Sequence, residues 1–500
     1  MLKLKIRNKI FLAGAVLLGL SACKKELDVN LTNPNGITSA AISGKDVFAN
    51  ALQNTSANIT NSFAFANQWM GYWARTTSYS ASGSQAQVEH FSLSNDYGNG
   101  IWQSEYHNIY DYNFVISKSA ENSILPGASK VMKAMIYQNL ADVFGDVPYS
   151  QAGDPNVSTQ PQYEDAKTIY QNLIPQLDSA IASIKASQST EDDAADIMFK
   201  GDKTKWVQFA NTLKLRILMR QVPNGDQGYV QTQIGNIISE GSGFLQAGED
   251  AVINPGYADV VGQQNPFWAS YGYEVGGATP KANNVFYIGN KTMIDYLNQT
   301  KDPRLGYLYD VTDGKNTGNY LGDFAEARPV SQLAVIGPGI LKSAAMPAVI
   351  MPASESFFLQ SEAAYRGLIT GDYKGLLLQG IEESFRFLEV PDAKTAADNF
   401  FNNSTDPTVK PQGSSDPIKA IIYQKWVALA EVDGLEAWSE YRRTGYPDRT
   451  NPSVATGVAI NKIPQRLLYP QSEYNLNSAN VNAKNQQPSD IYTPIFWAKQ

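Results

Sequence analysis

Cysteine and histidine are nearly absent from this chain of 500 residues. It contains one cysteine, Cys23, and two histidines, His90 and His107. A single thiol cannot form an intramolecular disulfide, and neither histidine has a metal-ligating partner at helical spacing. The sequence therefore predicts no disulfide framework, no metal site and no cofactor, and the fold must be stabilised by packing.

Catalytic motifs are also missing. The chain has no Gly-x-Ser-x-Gly element, no P-loop and no dinucleotide fingerprint. Acidic pairs such as Glu382-Glu383 and Asp192-Asp193 are more typical of solvated charges than of the acid and nucleophile of a glycosidase. We therefore predict no catalytic residues and expect that the protein is not an enzyme.

Positive charge is in deficit, with 40 Lys and Arg against 48 Asp and Glu, which gives a net charge of −8. Removing residues 1–22 would remove four basic residues and no acidic one, and would change this charge to −12. Such a chain is not drawn to nucleic acid by long-range attraction. Nucleic acid is therefore not an expected partner.

The N-terminus has the pattern of a secretory segment that ends at the only cysteine. An apolar stretch, Ile10–Leu20, leads to Leu20-Ser21-Ala22-Cys23, which forms a lipobox. The basic residues before that stretch are Lys3, Lys5, Arg7 and Lys9. We predict a signal peptide over residues 1–22 and lipid attachment at Cys23; the alternative is an ordinary signal peptide. Eleven apolar residues are too few to span a bilayer.

Beyond Cys23 the sequence predicts a short tether and one body. Residues 23–35 are polar and lead into a turn signal at Asn33–Gly36. No long linker interrupts residues 36–500, so we expect one structural unit. Residues 36–243 and 351–500 are expected to form a helical scaffold. Residues 244–350, rich in Gly, Pro and Asn, are expected to form a loop-rich excursion with one good helix, 292–298.

Apolar residues in the scaffold recur with the period of an amphipathic helix. The helical stretches are 131–144, 206–217, 357–368, 377–388 and 418–429. Gly145 and Pro148 supply a stop after the first of them. Gly367 and Gly371 separate two others, which favours an antiparallel pair. The pattern predicts an all-α fold of tetratricopeptide-like helix pairs, although no clean 34-residue repeat is present.

Aromatic residues are concentrated in two regions. Residues 63–112 hold twelve of them, and a second group lies within residues 257–287. Aromatic faces with polar tips suit stacking on sugar rings or gripping a peptide. The candidate ligand contacts are Trp69, Trp73, Tyr79, Tyr97, Trp102, Trp268, Tyr271 and Tyr273. Trp69, Tyr72 and Trp73 fit one helix face, which favours core packing. Tyr79, Tyr97, Trp268, Tyr271 and Tyr273 lie among small polar residues, where no regular element would bury them, and either role stays open.

Several motifs together resemble the SusD/RagB family of nutrient-binding outer-membrane lipoproteins of Bacteroidetes. Besides the lipobox, they are Tyr106–Tyr110, Leu140–Tyr149, Lys301–Leu305, Pro352–Glu355 and Trp426–Arg443. The Gly-Asp-Val-Pro element at 145–148 is the best single marker. The strings Glu436–Trp438 and Gln471–Glu473 depart from the commoner family patterns and indicate a divergent branch.

The resemblance implies an all-α body with a loop-rich second half, anchored by lipid to the outer membrane and exposed at the cell surface. Glu26 and Asp28 are similar to the signal that sends such lipoproteins outward. The implied function is capture of an oligosaccharide or peptide and its delivery to a SusC-like TonB-dependent transporter. The alternatives are a lipid-anchored glycoside hydrolase and a helical-repeat scaffold in envelope assembly.

Overall fold

The first half of the body is a series of helices, several of which begin at an aspartate. The computed structural model describes residues 42–312, 314–315, 317–323, 328–448 and 452–499. The helices are α1 Gly44–Ser62, α2 Ala64–Trp69, α3 Gly83–His90, α4 Asn99–Lys118, α5 Leu125–Phe144, α6 Ala166–Ala186, α7 Lys203–Gln221 and α8 Gln227–Glu240. The carboxylates of Asp165, Asp202 and Asp226 accept hydrogen bonds from the first-turn N–H groups of α6, α7 and α8.

The second half has short helices first and long helices later. They are α9 Pro266–Tyr271, α10 Ala282–Phe286, α11 Lys291–Thr300, α12 Leu305–Leu308, α13 Ala353–Tyr365, α14 Tyr373–Phe387, α15 Ala393–Asn403, α16 Pro417–Ala428, α17 Gly434–Thr444, α18 Gln471–Leu476 and α19 Ser478–Asn482. Every helical stretch predicted from periodicity corresponds to one of these long helices. From Gly44 onward the chain forms one compact unit.

Helices that follow one another in the chain pack against each other, as expected for helix pairs. In the first half, each of α4 to α8 packs on the helix before or after it, and α4 also packs on α1. In the second half α14 lies between α13 and α15. Contacts of α13 with α7 and α16 join the two halves of the scaffold.

Buried ion pairs lie at that junction and between helices of the second half. Arg220 of α7 donates from Nη1 to Glu440 of α17 over 2.7 Å, and Lys425 of α16 donates to Glu436 over 2.6 Å. Arg443 of α17 donates to Glu362 of α13 over 2.7 Å. Buried pairs of this kind fix orientation more than they add stability, because desolvation offsets much of the attraction.

The loop-rich section contains more regular structure than the sequence predicts. The predicted helix 292–298 is present as α11, but α9, α10 and α12 are additional. Short strands pair antiparallel as β1 Trp73–Arg75 with β5 Tyr287–Gly289, β2 Val147–Pro148 with β3 Tyr163–Glu164, β4 Ala251–Ile253 with β8 Ala348–Met351, and β6 Tyr309–Asp310 with β7 Val335–Ile336. Strands of two to four residues are too short to show an alternating pattern.

The predicted signal peptide, Cys23 and the predicted tether up to residue 35 lie outside the described residues. They stay predictions. Within the described residues no helix is both long enough and apolar enough to cross a membrane.

Candidate functional site

A groove of about 630 Å³ lies between the end of α1, helix α3 and the start of α4. The side chains that give it its chemistry are Asn58, Asn61, Gln87, Asp96, Tyr97 and Ser104. The packing of α1 against α4 positions the helix ends that form the groove. Within this pair Asn54 contacts Asp111 and Thr55 contacts Tyr112. Amides and hydroxyls can both donate and accept hydrogen bonds, which suits a hydroxylated ligand.

Tyr97 connects this groove with the loop-rich section. Its ring packs edge-on against Phe65, with centroids 5.9 Å apart. Burial, followed by the neighbouring Tyr287 and Tyr271, raises the pKa of Tyr97 well above its ordinary value. Tyr97 therefore interacts electrostatically with two tyrosines that lie almost 200 residues away in the chain.

A second aromatic pair, Tyr79 and Phe286, adds a ring that is partly exposed to solvent. Tyr79 is 43% exposed, and its ring centroid lies 5.4 Å from that of Phe286. Strand β1 and strand β5 position them, because Thr76 N–H donates to the carbonyl of Phe286 over 2.9 Å. Phe286 in turn packs on Tyr287 at 4.8 Å.

A third aromatic pair is connected to the groove through Asn61. Trp268 and Tyr273 are half-buried, with ring centroids 5.5 Å apart. Helix α9, which carries Trp268, packs on α1, and Ser270 Oγ donates to Asn61 Oδ1 over 2.6 Å. Because Asn61 also lines the groove, this pair borders it. We call the groove and its partly exposed rings the aromatic face, defined by Tyr79, Tyr97, Trp268, Tyr273 and Phe286.

Four of the sequence candidates are buried. Trp69 and Trp73 have no exposed surface, Trp102 is 4% exposed and Tyr271 is 3% exposed. Trp69 packs against Trp438 and Trp102 against Phe144. Trp73 packs against Tyr271 and Tyr287 at 4.8 and 5.0 Å, so it supports the aromatic face from below.

The prediction that Trp69, Tyr72 and Trp73 share a helix face is wrong. Helix α2 ends at Trp69, and Gly71 has a φ of +77°, which reverses the chain. Trp73 then begins β1. All three side chains are buried, but the chain reversal places Trp73 on β1, against the loop-rich section.

The expectation that no regular element would bury Tyr271 is also wrong, whereas Trp268 lies in a helix but stays half-buried. Both lie in α9, where Asn265 Oδ1 accepts from the N–H groups of Phe267 and Trp268, and Pro266 is the first helical residue. The Asn-Pro pair is a helix-start signal that could have predicted α9. Sequence reasoning also missed Asn58, Asn61, Gln87 and Ser104, because amides and hydroxyls scattered over three segments form no local pattern.

The groove lining includes one carboxylate, that of Asp96. The described residues contain no group of three His, Cys, Asp or Glu side chains that could hold a metal ion. The arrangement offers flat apolar faces beside amide and hydroxyl groups. It can bind a ring-shaped polar ligand by stacking and hydrogen bonding.

Comparisons with known proteins agree with this geometry. Residues 34–470 match a SusD-like family model that is described as starch-binding and associating with the outer membrane. A search of curated proteins finds no match. Because the family model covers most of the chain, the protein belongs to the SusD-like family, and the resemblance stated from the motifs is confirmed.

Solved structures of similar fold cover nearly the whole chain. A chitin-binding protein is 22% identical with a TM-score of 0.73, over 92% of this chain and all of its own. A chitin-binding SusD homolog from Flavobacterium johnsoniae is 23% identical with a TM-score of 0.72, over 90% and 98%. A SusD/RagB family protein from Bacteroides thetaiotaomicron is 19% identical with a TM-score of 0.72, over 92% and 100%. The predicted all-α fold class is confirmed.

Proposed function

We propose that this protein binds an oligosaccharide on its aromatic face. The observation that carries the proposal is a groove lined by amides, hydroxyls and the ring of Tyr97, with the partly exposed ring of Tyr79 packed nearby on Phe286, the neighbour of Tyr287. Sugar rings present apolar C–H faces and hydroxyl edges, so they match both kinds of side chain. The family description and the chitin-binding neighbours point to the same ligand class.

The geometry favours binding over hydrolysis. A glycosidase places two carboxyl groups roughly 5 to 10 Å apart on either side of the scissile bond. Among the residues that the structure describes, Asp96 is the one carboxylate that lines the groove. The glycoside hydrolase alternative therefore lacks its second group among the lining residues.

The proposed setting is the cell surface, where the protein delivers its ligand to a SusC-like TonB-dependent transporter. Support comes from the lipobox at Cys23 and from the association of the family with the outer membrane. A lipid at Cys23 would attach the chain to the membrane through its N-terminus. The helical body would then act as a receptor above the transporter.

Calorimetric titration with maltoheptaose and with chitohexaose tests the proposal. We expect saturable binding of at least one of them by the purified protein, and chromatography should recover the glycan at its original length. Shortened products would favour the hydrolase. Absence of binding to both glycans, together with binding of a peptide library, would contradict the oligosaccharide proposal.

A further inference from the structure

Beneath the aromatic face lies an ion pair that is closed to solvent. Arg75 Nε donates to Glu89 Oε1 over 2.9 Å, and Arg75 Nη2 to Glu89 Oε2 over 3.3 Å. The side chains are 2% and 0% exposed. Neither can touch a ligand that binds at the surface, so the pair must act through other residues if it serves the site.

Arg75 holds the turn that carries Tyr79. Its Nη1 group donates to the carbonyl of Thr76 over 3.3 Å and also to the carbonyl of Tyr79. A guanidinium offers five donors in a fixed plane, so one side chain can bind Glu89 and the turn together. The position of the Tyr79 ring against Phe286 therefore depends on Arg75.

Glu89 is part of helix α3 and connects that helix with Arg75. Gln85 Nε2, one turn earlier on α3, donates to Glu89 Oε1 over 2.7 Å and to Gln68 Oε1 of α2 over 2.8 Å. These inward contacts leave Ser84 and Gln87 to line the groove. Glu89 also lies near Tyr287, since burial and then the charge of Glu89 raise the pKa of Tyr287 to about 12.

We propose that the buried Arg75–Glu89 pair is a positioning device for glycan recognition, which sets the Tyr79 turn and helix α3 relative to each other. This inference rests on the proposed function. Arg75 binds the turn that carries Tyr79, and Glu89 is part of α3. The attraction between Arg75 and Glu89 therefore fixes the distance between the turn and the helix.

The first test compares Glu89→Gln with Glu362→Gln. Glu362 is a similarly buried partner of an arginine, Arg443. That ion pair joins α13 with α17, outside the aromatic face. Both variants should lower the melting temperature. Glu89→Gln should also weaken binding of the better of maltoheptaose and chitohexaose by at least about fivefold, a typical loss for a misplaced aromatic contact. Glu362→Gln should bind like wild type. Equal affinities for Glu89→Gln and wild type would overturn the proposal.

A double-mutant cycle with Tyr79→Ala separates positioning from general loosening. If the pair acts through Tyr79, Glu89→Gln should cost clearly less affinity on the Tyr79→Ala background than on the wild-type background. Full additivity would overturn the proposal. If Glu89→Gln does not fold, the test uses Gln85→Met instead. This variant removes the hydrogen bonds from Gln85 to Gln68 and Glu89 and leaves every charge in place. Wild-type affinity in Tyr79→Ala alone would instead contradict the proposed binding face.

Discussion

At the scale of single residues, Glu105 shows how burial near the groove sets a protonation state. It lies on α4 one turn after Ile101, is 2% exposed, and burial raises its pKa from 4.5 to about 8. The folded protein therefore keeps Glu105 protonated at pH 7, whereas an unfolded chain would ionise it. Stability from this group is fully present below the unfolded pKa and is lost as the pH rises through about 8.

Glu105→Gln should remove that pH dependence, because the amide has nearly the same shape and cannot ionise. We expect the variant to be more stable than wild type at pH 9, by at most about 5 kcal/mol, since one pKa unit corresponds to about 1.4 kcal/mol. At pH 4 the two proteins should differ much less. Urea unfolding at both pH values measures this. The same difference between variant and wild type at pH 4 and pH 9 would contradict the assignment.

The sequence distinguishes buried from accessible aromatics only in part. Trp69, Tyr72 and Trp73 are core residues, as expected, but the shared helix face from which this was argued does not exist. The exposed state of Tyr79 and the burial of Tyr271 both follow from long-range pairing, of β1 with β5 and of α9 with α1. Local patterns contain no information on contacts of this range.

At the scale of elements, the turn after α5 ends a helix by backbone geometry. Gly145 has a φ of +82°, and a Cβ built there would lie 2.8 Å from Arg466 Nη2. The neighbours of Gly145 complete the turn. Asp146 Oδ1 accepts from the N–H of Ala166 over 2.9 Å, and the Pro148 carbonyl accepts from Tyr106 Oη over 2.6 Å. These contacts assign a structural role to the Gly-Asp-Val-Pro element.

Gly145→Ala should therefore destabilise the protein by roughly 1–3 kcal/mol without changing glycan affinity, because a side chain at this φ is strained. The matched control is Gly235→Ala in the exposed middle of α8, where nothing lies within 4 Å of the added Cβ. That change should stabilise by roughly 0.5–1 kcal/mol. Denaturant melts of both variants test the pair. Weaker glycan binding by Gly145→Ala at unchanged stability would show that the turn belongs to the site.

Long helices were predictable from their apolar periodicity and short ones were not. An apolar repeat over ten or more residues, as in α5 and α7, specifies both the helix and its buried face. Helix α9 has six residues and β1 has three, so neither can show a period. Their positions depend on the partners they meet, which the sequence does not reveal.

At the scale of the whole molecule, the aromatic face combines distant parts of the chain. Residues 58–104 contribute the groove, and residues 265–287 contribute the rings of Trp268, Tyr273 and Phe286. The β1–β5 pairing and the contact of α9 with α1 bring these parts together. The sequence could name most of the rings, but it could not assemble them, because the assembly depends on how the loop-rich section folds back on the scaffold.

The most direct test of the account is glycan binding by Tyr79→Ala and Tyr365→Ala, measured by calorimetric titration and thermal melting. Both tyrosines are 43% exposed, and each packs against one other ring, Phe286 for Tyr79 and Tyr373 for Tyr365. Tyr365 lies on α13, outside the aromatic face. The account predicts that Tyr79→Ala weakens binding by roughly 1–3 kcal/mol, the scale of an aromatic hot spot, while both variants melt near wild type. Equal affinities of the two variants for the glycan would contradict it.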